Sequence, residues 1–136
     1  MVKLNMTMFR RYYLDNMEHS DTPQLTMQNL RDFSDGLICF TGGYEGPIGR
    51  LILQNRKDEA EKKLLEYKEI FGDRLYMEIS RVGYEEEKKT ESVFLELAYK
   101  HNIPLVATND VFFFDESMYE AHDALCCIAA GEYVAN

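Results

Sequence analysis

The alternation of apolar and polar positions predicts strands separated by helices. The stretch GLICFT at 36–41 is nearly all apolar and closes on two glycines, a pattern typical of a buried strand in a parallel sheet. A second strand is predicted at about 75–81, where a more apolar face alternates with a more polar one, and a third at about 104–108. We therefore expect a three-stranded core.

Helical periods lie between and around these strands, because apolar residues there recur every three or four positions. The predicted helices are 2–15, a short one from the cap residue Thr26 to Phe33, one that begins at Pro47, Lys57–Phe71, one that follows the acidic run at Glu85, and one capped by Asp115. The apolar face of the last helix is formed by Met118, Ala121, Leu125 and Ile128.

The resulting order, β-α-α-β-α-β-α, predicts parallel strands with right-handed crossovers and helices packed on one side of the sheet. Three strands are too few to close a barrel. The chain is therefore either a small open α/β sheet or a slice of a larger barrel.

The composition is that of an ordinary globular protein, with 46% hydrophobic and 29% charged residues. A net charge of −9 disfavours direct binding to nucleic acid, because an acidic surface repels phosphate. The chain has no apolar run of the ~20 residues that a membrane helix needs and no pattern of a secretory signal, so we expect no membrane partner and a cytoplasmic location.

The three cysteines, Cys39, Cys126 and Cys127, do not suggest a disulfide framework. Their number is odd, and the adjacent pair lacks the spacing of metal ligands. We predict that all three are small buried hydrophobic residues.

Functional groups of parallel α/β folds gather at the carboxyl ends of strands. The candidates there are few: Glu78, Arg81 and Asp110. The glycines of 42–49 match neither common phosphate-binding pattern, and we interpret them as tight turns before a helix.

The three histidines are too scattered to form a ligand set by themselves. His19 falls in a polar loop, and His101 lies where it can interact with a helix C-terminus. His122 lies beside an apolar stripe and is interpreted as structural. The residues taken alone thus predict a parallel α/β domain, or part of one, without a convincing active site.

Three segments together resemble the PHP domain of bacterial DNA polymerase III alpha subunits. GLICFTGGYEGPIG at 36–49 is similar to the family's GLIALSGCLxGEI, and GDRLYMEISRVG at 72–83 is similar to GDRLYLELQRHG. PLVATNDVFFFDESMYEAHDALCCIAAG at 104–131 is similar to PLVATNDVHYLxxxDxxAHDxLLCIxxG. The resemblance covers about 25–136, whereas 1–24, a predicted helix and loop, matches less clearly.

This resemblance implies a fold in which parallel β/α units form part of a distorted (β/α)7 PHP barrel, similar to a TIM barrel. Residues 1–136 are then a single partial PHP domain that lacks the N-terminal and C-terminal parts of the barrel.

The resemblance also implies which positions would bind metal in the family members that do so. The family's Cys of SGC aligns with Gly43, and the Asp and His of N-D-x-H align with Asp110 and Phe112. Glycine and phenylalanine offer no side-chain ligand. Asp110 is therefore the only remaining candidate, as a vestigial ligand, and its alternative role is that of a turn or capping residue. We expect no catalytic residue and no cofactor in this segment.

For function, the resemblance implies a segment of a replicative DNA polymerase whose parent chain carries out DNA-templated DNA synthesis with Mg²⁺. The segment itself is expected to be a non-catalytic scaffold and a docking surface for the proofreading exonuclease subunit, with other replicase subunits and DNA bound through the parent chain. A barrel slice also exposes apolar faces, so we expect the isolated segment to self-associate. The alternatives are an active metal-dependent PHP phosphoesterase or exonuclease and a free-standing interaction module. A gene that continues past Asn136 into a polymerase palm would favour the first hypothesis.

Overall fold

The computed structural model describes residues 26–133, which form three strands and five helices. The helices are α1 (Met27–Phe33), α2 (Pro47–Leu53), α3 (Lys57–Phe71), α4 (Glu85–Lys100) and α5 (Tyr119–Ala130). The strands are β1 (Cys39–Phe40), β2 (Leu75–Ile79) and β3 (Leu105–Ala107). Short 3-10 turns occupy Gly43–Glu45, Gly72–Arg74 and Glu116–Met118. The helix predicted at 2–15, the rest of 1–24 and His19 lie outside the described residues.

Helix boundaries follow the local signals in the sequence. The Thr26 side chain accepts a hydrogen bond from the Asn29 backbone N–H at 3.1 Å, and the Asn29 side chain accepts one from the Thr26 backbone N–H, also at 3.1 Å. This reciprocal cap satisfies two backbone donors that the first helical turn leaves unpaired. Pro47 lies in the first turn of α2, and Gly72, with φ +58°, ends α3. The predicted helices at these positions are confirmed.

The sheet is parallel throughout, with the strand order β1-β2-β3. Cys39 pairs with Leu75, and Met77 pairs with Leu105. The predicted parallel core and its element order are therefore confirmed. The alternation of strands and helices predicts the parallel sheet correctly. Each connection between consecutive strands contains a helix that returns the chain to the end of the sheet where the previous strand began, so the next strand runs in the same direction.

The prediction of a buried strand at 36–41 is wrong in the strand's length and in its burial. Only Cys39 and Phe40 pair as a strand, and Ile38 and Phe40 remain 64% and 50% exposed. Helices α2, α3 and α4 pack with Leu75 and Met77 on one face of the sheet, and Phe40 on the other face has no cover among residues 26–133.

The core lies between the sheet and helices α2, α3 and α4. Leu75 and Met77 of β2 are completely buried at its centre. Apolar residues from successive turns of the helices belong to the same cluster. Its helical members are Ile48, Ile52, Ala60, Leu64, Phe71, Phe94, Leu97 and Ala98. The periodicity of α3 and α4 therefore identified their buried faces correctly.

Helix α5 does not turn its apolar face into this core. Leu125 is 64% exposed and Ile128 is 75% exposed, and Met118 and Ala121 are exposed as well. The sequence periodicity predicts which residues share a face, but it does not show what that face contacts. Among the described residues nothing covers it.

The prediction that the cysteines are buried is also wrong. Cys126 is exposed, while Cys39 and Cys127 are half-buried, and all three are free thiols. Cys126 and Cys127 are not buried because both belong to α5, whose apolar face has no cover among the described residues. Partial burial of the Cys39 thiol raises its pKa, because it disfavours the charged thiolate. None of the described helices is long and apolar enough to cross a membrane.

Candidate functional site

The carboxylate of Glu78 lies at the carboxyl end of the sheet and connects all three strand ends. One of its oxygens accepts a hydrogen bond from the Gly42 backbone N–H at 2.9 Å, just after β1. The other accepts a hydrogen bond from the Thr108 hydroxyl at 2.6 Å, just after β3. Both oxygens of the β2 side chain are thus engaged within the fold.

Thr41 completes this connection on the side of β1. Its hydroxyl oxygen accepts a hydrogen bond from the Glu78 backbone N–H at 2.9 Å, and its own backbone N–H donates to the Tyr76 carbonyl at 3.2 Å. Thr41 is only 2% exposed. Hydrogen-bonded groups at a strand end fix the relative positions of neighbouring strands. This network therefore has a structural role, which is to hold the ends of the three strands together.

The loop that follows β2 is organised around a second carboxylate, Glu87, in the first turn of α4. This side chain is 6% exposed and accepts hydrogen bonds from the Ser80 hydroxyl at 2.6 Å and from the backbone N–H groups of Val82, Gly83 and Tyr84. These bonds stabilise the ionised form. The Ser80 hydroxyl, followed by the Gly83 N–H, therefore lowers the pKa of Glu87, against the opposing effect of burial.

Two glycines, Gly46 just before α2 and Gly49 within it, are required by close backbone packing. A Cβ atom on Gly46 would lie 2.1 Å from the Thr41 carbonyl oxygen, and one on Gly49 would lie 2.4 Å from the Gly43 carbonyl oxygen. The cavity between this turn and the start of α4 has a volume of about 10 Å³. That is the space of about one water molecule, which agrees with the interpretation of these glycines as tight turns.

The three positions aligned with metal ligands do not form a site. Asp110 is exposed, and its carboxylate makes no hydrogen bond or ion pair within residues 26–133. Gly43 has φ +53° and no side chain, with open space where a Cβ would stand. Phe112 is 69% exposed, and its ring lies against His122, with 5.3 Å between the ring centroids.

The residues present therefore do not fit the metal cluster that the family resemblance suggests. Across the described part of the chain, no three His, Cys, Asp or Glu side chains are placed to hold one ion. The proposed alternative for Asp110, a capping or turn role, has no hydrogen bond to support it either. The nearby cap of the last helical region is Asp115, whose carboxylate accepts from the Ser117 backbone N–H at 2.9 Å.

The remaining candidates have structural partners. The guanidinium of Arg81 forms an ion pair with Glu91 at 2.6 Å. His101 caps the end of α4, and its Nε2 lies 2.6 Å from Glu61 of α3, a carboxylate that Lys100 also contacts at 2.7 Å. His122 contacts the rings of two phenylalanines and lies 3.7 Å from the Cys126 sulfur.

Two roles were not predicted from the sequence. The engagement of Glu78 depends on groups that are 30 and 36 residues away, so no local pattern reports it. Glu87 belongs to the acidic run at Glu85, for which the sequence predicts only a favourable charge at a helix start. A local signal existed, since a glutamate at the third helical position can accept from the backbone just before the helix.

Comparison with known proteins places this chain in a family. A family model for the PHP domain matches residues 4–82, and the chain belongs to that family. Its curated relatives include the DNA polymerase III subunit alpha of Caulobacter vibrioides, 40% identical over 122 residues that make up 90% of this chain and 11% of the relative. The corresponding subunit of Rickettsia bellii is 45% identical over 107 residues, which are 79% of this chain and 9% of that protein.

A third relative shows similar coverage. The DNA polymerase III subunit alpha of Thermus aquaticus is 37% identical over 118 residues, covering 87% of this chain and 10% of the relative. The chain therefore resembles the PHP region of these subunits along most of its length, and it spans about a tenth of the length of the relatives it matches.

Proposed function

We propose that this chain is a non-catalytic segment of the PHP domain of a replicative DNA polymerase III alpha subunit. The observation that carries the proposal is the chemistry of the strand ends. Gly43 and Phe112, which the resemblance aligns with metal ligands, offer no donor side chain, and both carboxylate oxygens of Glu78 already accept hydrogen bonds. An active phosphoesterase needs several converging ligands, and Asp110 alone leaves most of a coordination sphere to water.

In this proposal the parallel β/α units are part of a distorted (β/α)7 barrel, of which residues 1–136 form one portion. The exposed side chains of Ile38 and Phe40 on the uncovered sheet face support it, because a barrel would bury that face. The longer polypeptide would complete the barrel and carry out DNA synthesis with Mg²⁺ in its own polymerase site.

The role of the segment would be to support the polymerase and to dock the proofreading exonuclease subunit in the cytoplasm. The acidic surface supports a protein partner over a nucleic acid, because a net charge of −9 repels phosphate. DNA and other replicase subunits would then be bound through the longer polypeptide.

Chemical cross-linking of the full-length subunit with the exonuclease subunit of the same organism tests this role. Residues 102–136 contain no lysine, so a carboxylate-reactive cross-linker is required in addition to an amine-reactive one. We expect cross-links that join the exonuclease to this segment. A stable complex whose cross-links all lie outside the segment would contradict the docking role, and a gene that ends at Asn136 would contradict the assignment to a polymerase.

A further inference from the structure

The charges of this chain are distributed unevenly along its length. Residues 102–136 contain six carboxylate side chains and no lysine or arginine. Earlier in the described part of the chain several acidic side chains have cationic partners, as in the ion pairs of Lys57 with Glu96 and of Lys63 with Glu66. Within the described part of 102–136 no carboxylate has a cationic partner. This end of the molecule is therefore a region of uncompensated negative charge.

The same region contains an open groove of about 660 Å³, which lies between the loop that follows β3 and the start of α5. It is lined by three aromatic side chains and three carboxylates: Phe113, Phe114, Tyr119, Asp115, Glu116 and Glu120. A volume of this size lies within the range of sites that hold small ligands or a few side chains, about 300–1,000 Å³.

The walls of the groove differ in how firmly they are held. Phe113 is half-buried, with its ring centroid 6.3 Å from that of Tyr119 and 5.4 Å from that of His122. Phe114 is 93% exposed. Asp115 is occupied by its cap to Ser117, whereas Glu116 and Glu120 have no hydrogen bond or ion pair to another described residue. The groove thus offers one free aromatic ring and two free carboxylates beside an anchored aromatic wall.

We propose that this groove binds a protein segment that carries an arginine or lysine next to an apolar side chain. An arginine guanidinium can stack on the Phe114 ring and pair with the carboxylates of Glu116 and Glu120, while the apolar neighbour packs against Phe113. A second copy of this chain fits poorly, because every copy presents the same negative charge.

The inference rests on the proposed function, and it assigns the segment to the exonuclease subunit. The negative charge of the groove indicates that the docking segment is positively charged. The proposed docking role indicates that the exonuclease subunit supplies this segment. Aromatic residues and charge pairs at the centre of an interface carry most of its binding energy, so a few substitutions should reveal the site.

Binding of the exonuclease subunit to the full-length polymerase subunit is measured by isothermal titration calorimetry at low and physiological salt. The test variants are the double charge reversal Glu116→Lys/Glu120→Lys and the single change Phe114→Ala. Matched controls are Asp35→Lys/Asp73→Lys, which reverses two exposed carboxylates elsewhere, and Tyr99→Ala, which removes an aromatic ring that is 75% exposed on α4.

We expect each test variant to weaken binding by about tenfold or more and the charge reversal to flatten the salt dependence, with both controls near the wild-type affinity. Unchanged affinity of the test variants, while the wild type binds, would overturn the groove but leave the proposed function standing. A lowered melting temperature of the Phe114→Ala subunit would also overturn it, because the polymerase's own chain would then cover the groove. No binding by the wild type would contradict the proposed function itself.

Discussion

At the scale of single residues, two glutamates hold the carboxyl edge of the sheet in place. Glu78 joins the ends of β1, β2 and β3, and Glu87 gathers the backbone N–H groups of the loop after β2. A carboxylate at a strand end can bind a metal ion or serve the backbone. When neighbouring N–H and O–H groups engage its oxygens, as here, its main effect is on the fold.

The engagement of Glu87 predicts a dependence of local stability on pH. Its pKa is lower in the folded protein than in the unfolded chain, so the stabilisation is present at neutral pH. It is lost as the pH falls below the ordinary glutamate pKa of about 4.3 and through the lower folded-state value. We expect hydrogen exchange of residues 80–87, corrected for the intrinsic rate, to accelerate in that acidic range.

A Glu87→Gln variant should exchange faster than the wild type at neutral pH and lose most of the acid-dependent change. Glu85→Gln is the matched control, since Glu85 forms only an exposed ion pair with Lys88 in the same helical turn. Identical pH profiles for the wild type and Glu87→Gln would show that Glu87 does not hold the loop.

At the scale of elements, the segment from the end of β1 into the first turn of α2 depends on glycines for two different reasons. Gly46 and Gly49 leave room for backbone carbonyl oxygens that a Cβ would strike, whereas Gly43 has open space but a positive φ. The first reason concerns packing, and the second concerns backbone conformation alone.

These reasons predict a ranking of alanine substitutions in the full-length subunit. Gly46→Ala and Gly49→Ala should each reduce the stability of the turn by about 2–3 kcal/mol or more, because the atoms they strike are backbone. Gly43→Ala, the control, should cost about 1–2 kcal/mol from its left-handed conformation. The measurement is hydrogen exchange of the Thr41 amide, which donates to the Tyr76 carbonyl. Gly43→Ala as the most damaging of the three would contradict the packing argument.

The sequence predicted elements better than it predicted their surroundings. The limits of α3 and the cap of α1 follow from signals within a few residues, namely Gly72 and the Thr26–Asn29 pair. The exposure of Leu125 and the short extent of β1 depend on what packs against them. Hydrophobic periodicity shows that a face is apolar, but it is the same for a face that covers a core and for one that awaits a partner.

The same distinction applies to the site. That Gly43 and Phe112 carry no donor side chain follows from residue identity alone, whereas their alignment with metal ligands stays a prediction from the family resemblance. The network around Glu78 could not be predicted, since its partners lie 30 and 36 residues away and are brought together only by the parallel register of the sheet.

At the scale of the whole molecule, one sheet face and the apolar face of α5 have no cover among residues 26–133. Large exposed apolar patches favour association, whereas the net charge of −9 opposes it. We therefore expect the isolated 136-residue chain to self-associate and to do so more strongly as added salt screens the repulsion. Sedimentation velocity at low and high salt measures this. A monodisperse monomer at every salt concentration would contradict it.

The central claim is that this PHP segment holds no catalytic metal site, and metal content together with phosphodiester hydrolysis tests it most directly. The full-length subunit and its Asp110→Ala variant are purified, analysed for bound Mn and Zn, and assayed on a phosphodiester with either metal added. We expect the two proteins to contain the same amount of metal and to show no hydrolysis above a metal-only control. Metal bound in stoichiometric amount and lost with Asp110→Ala, or hydrolysis that disappears with it, would contradict the claim.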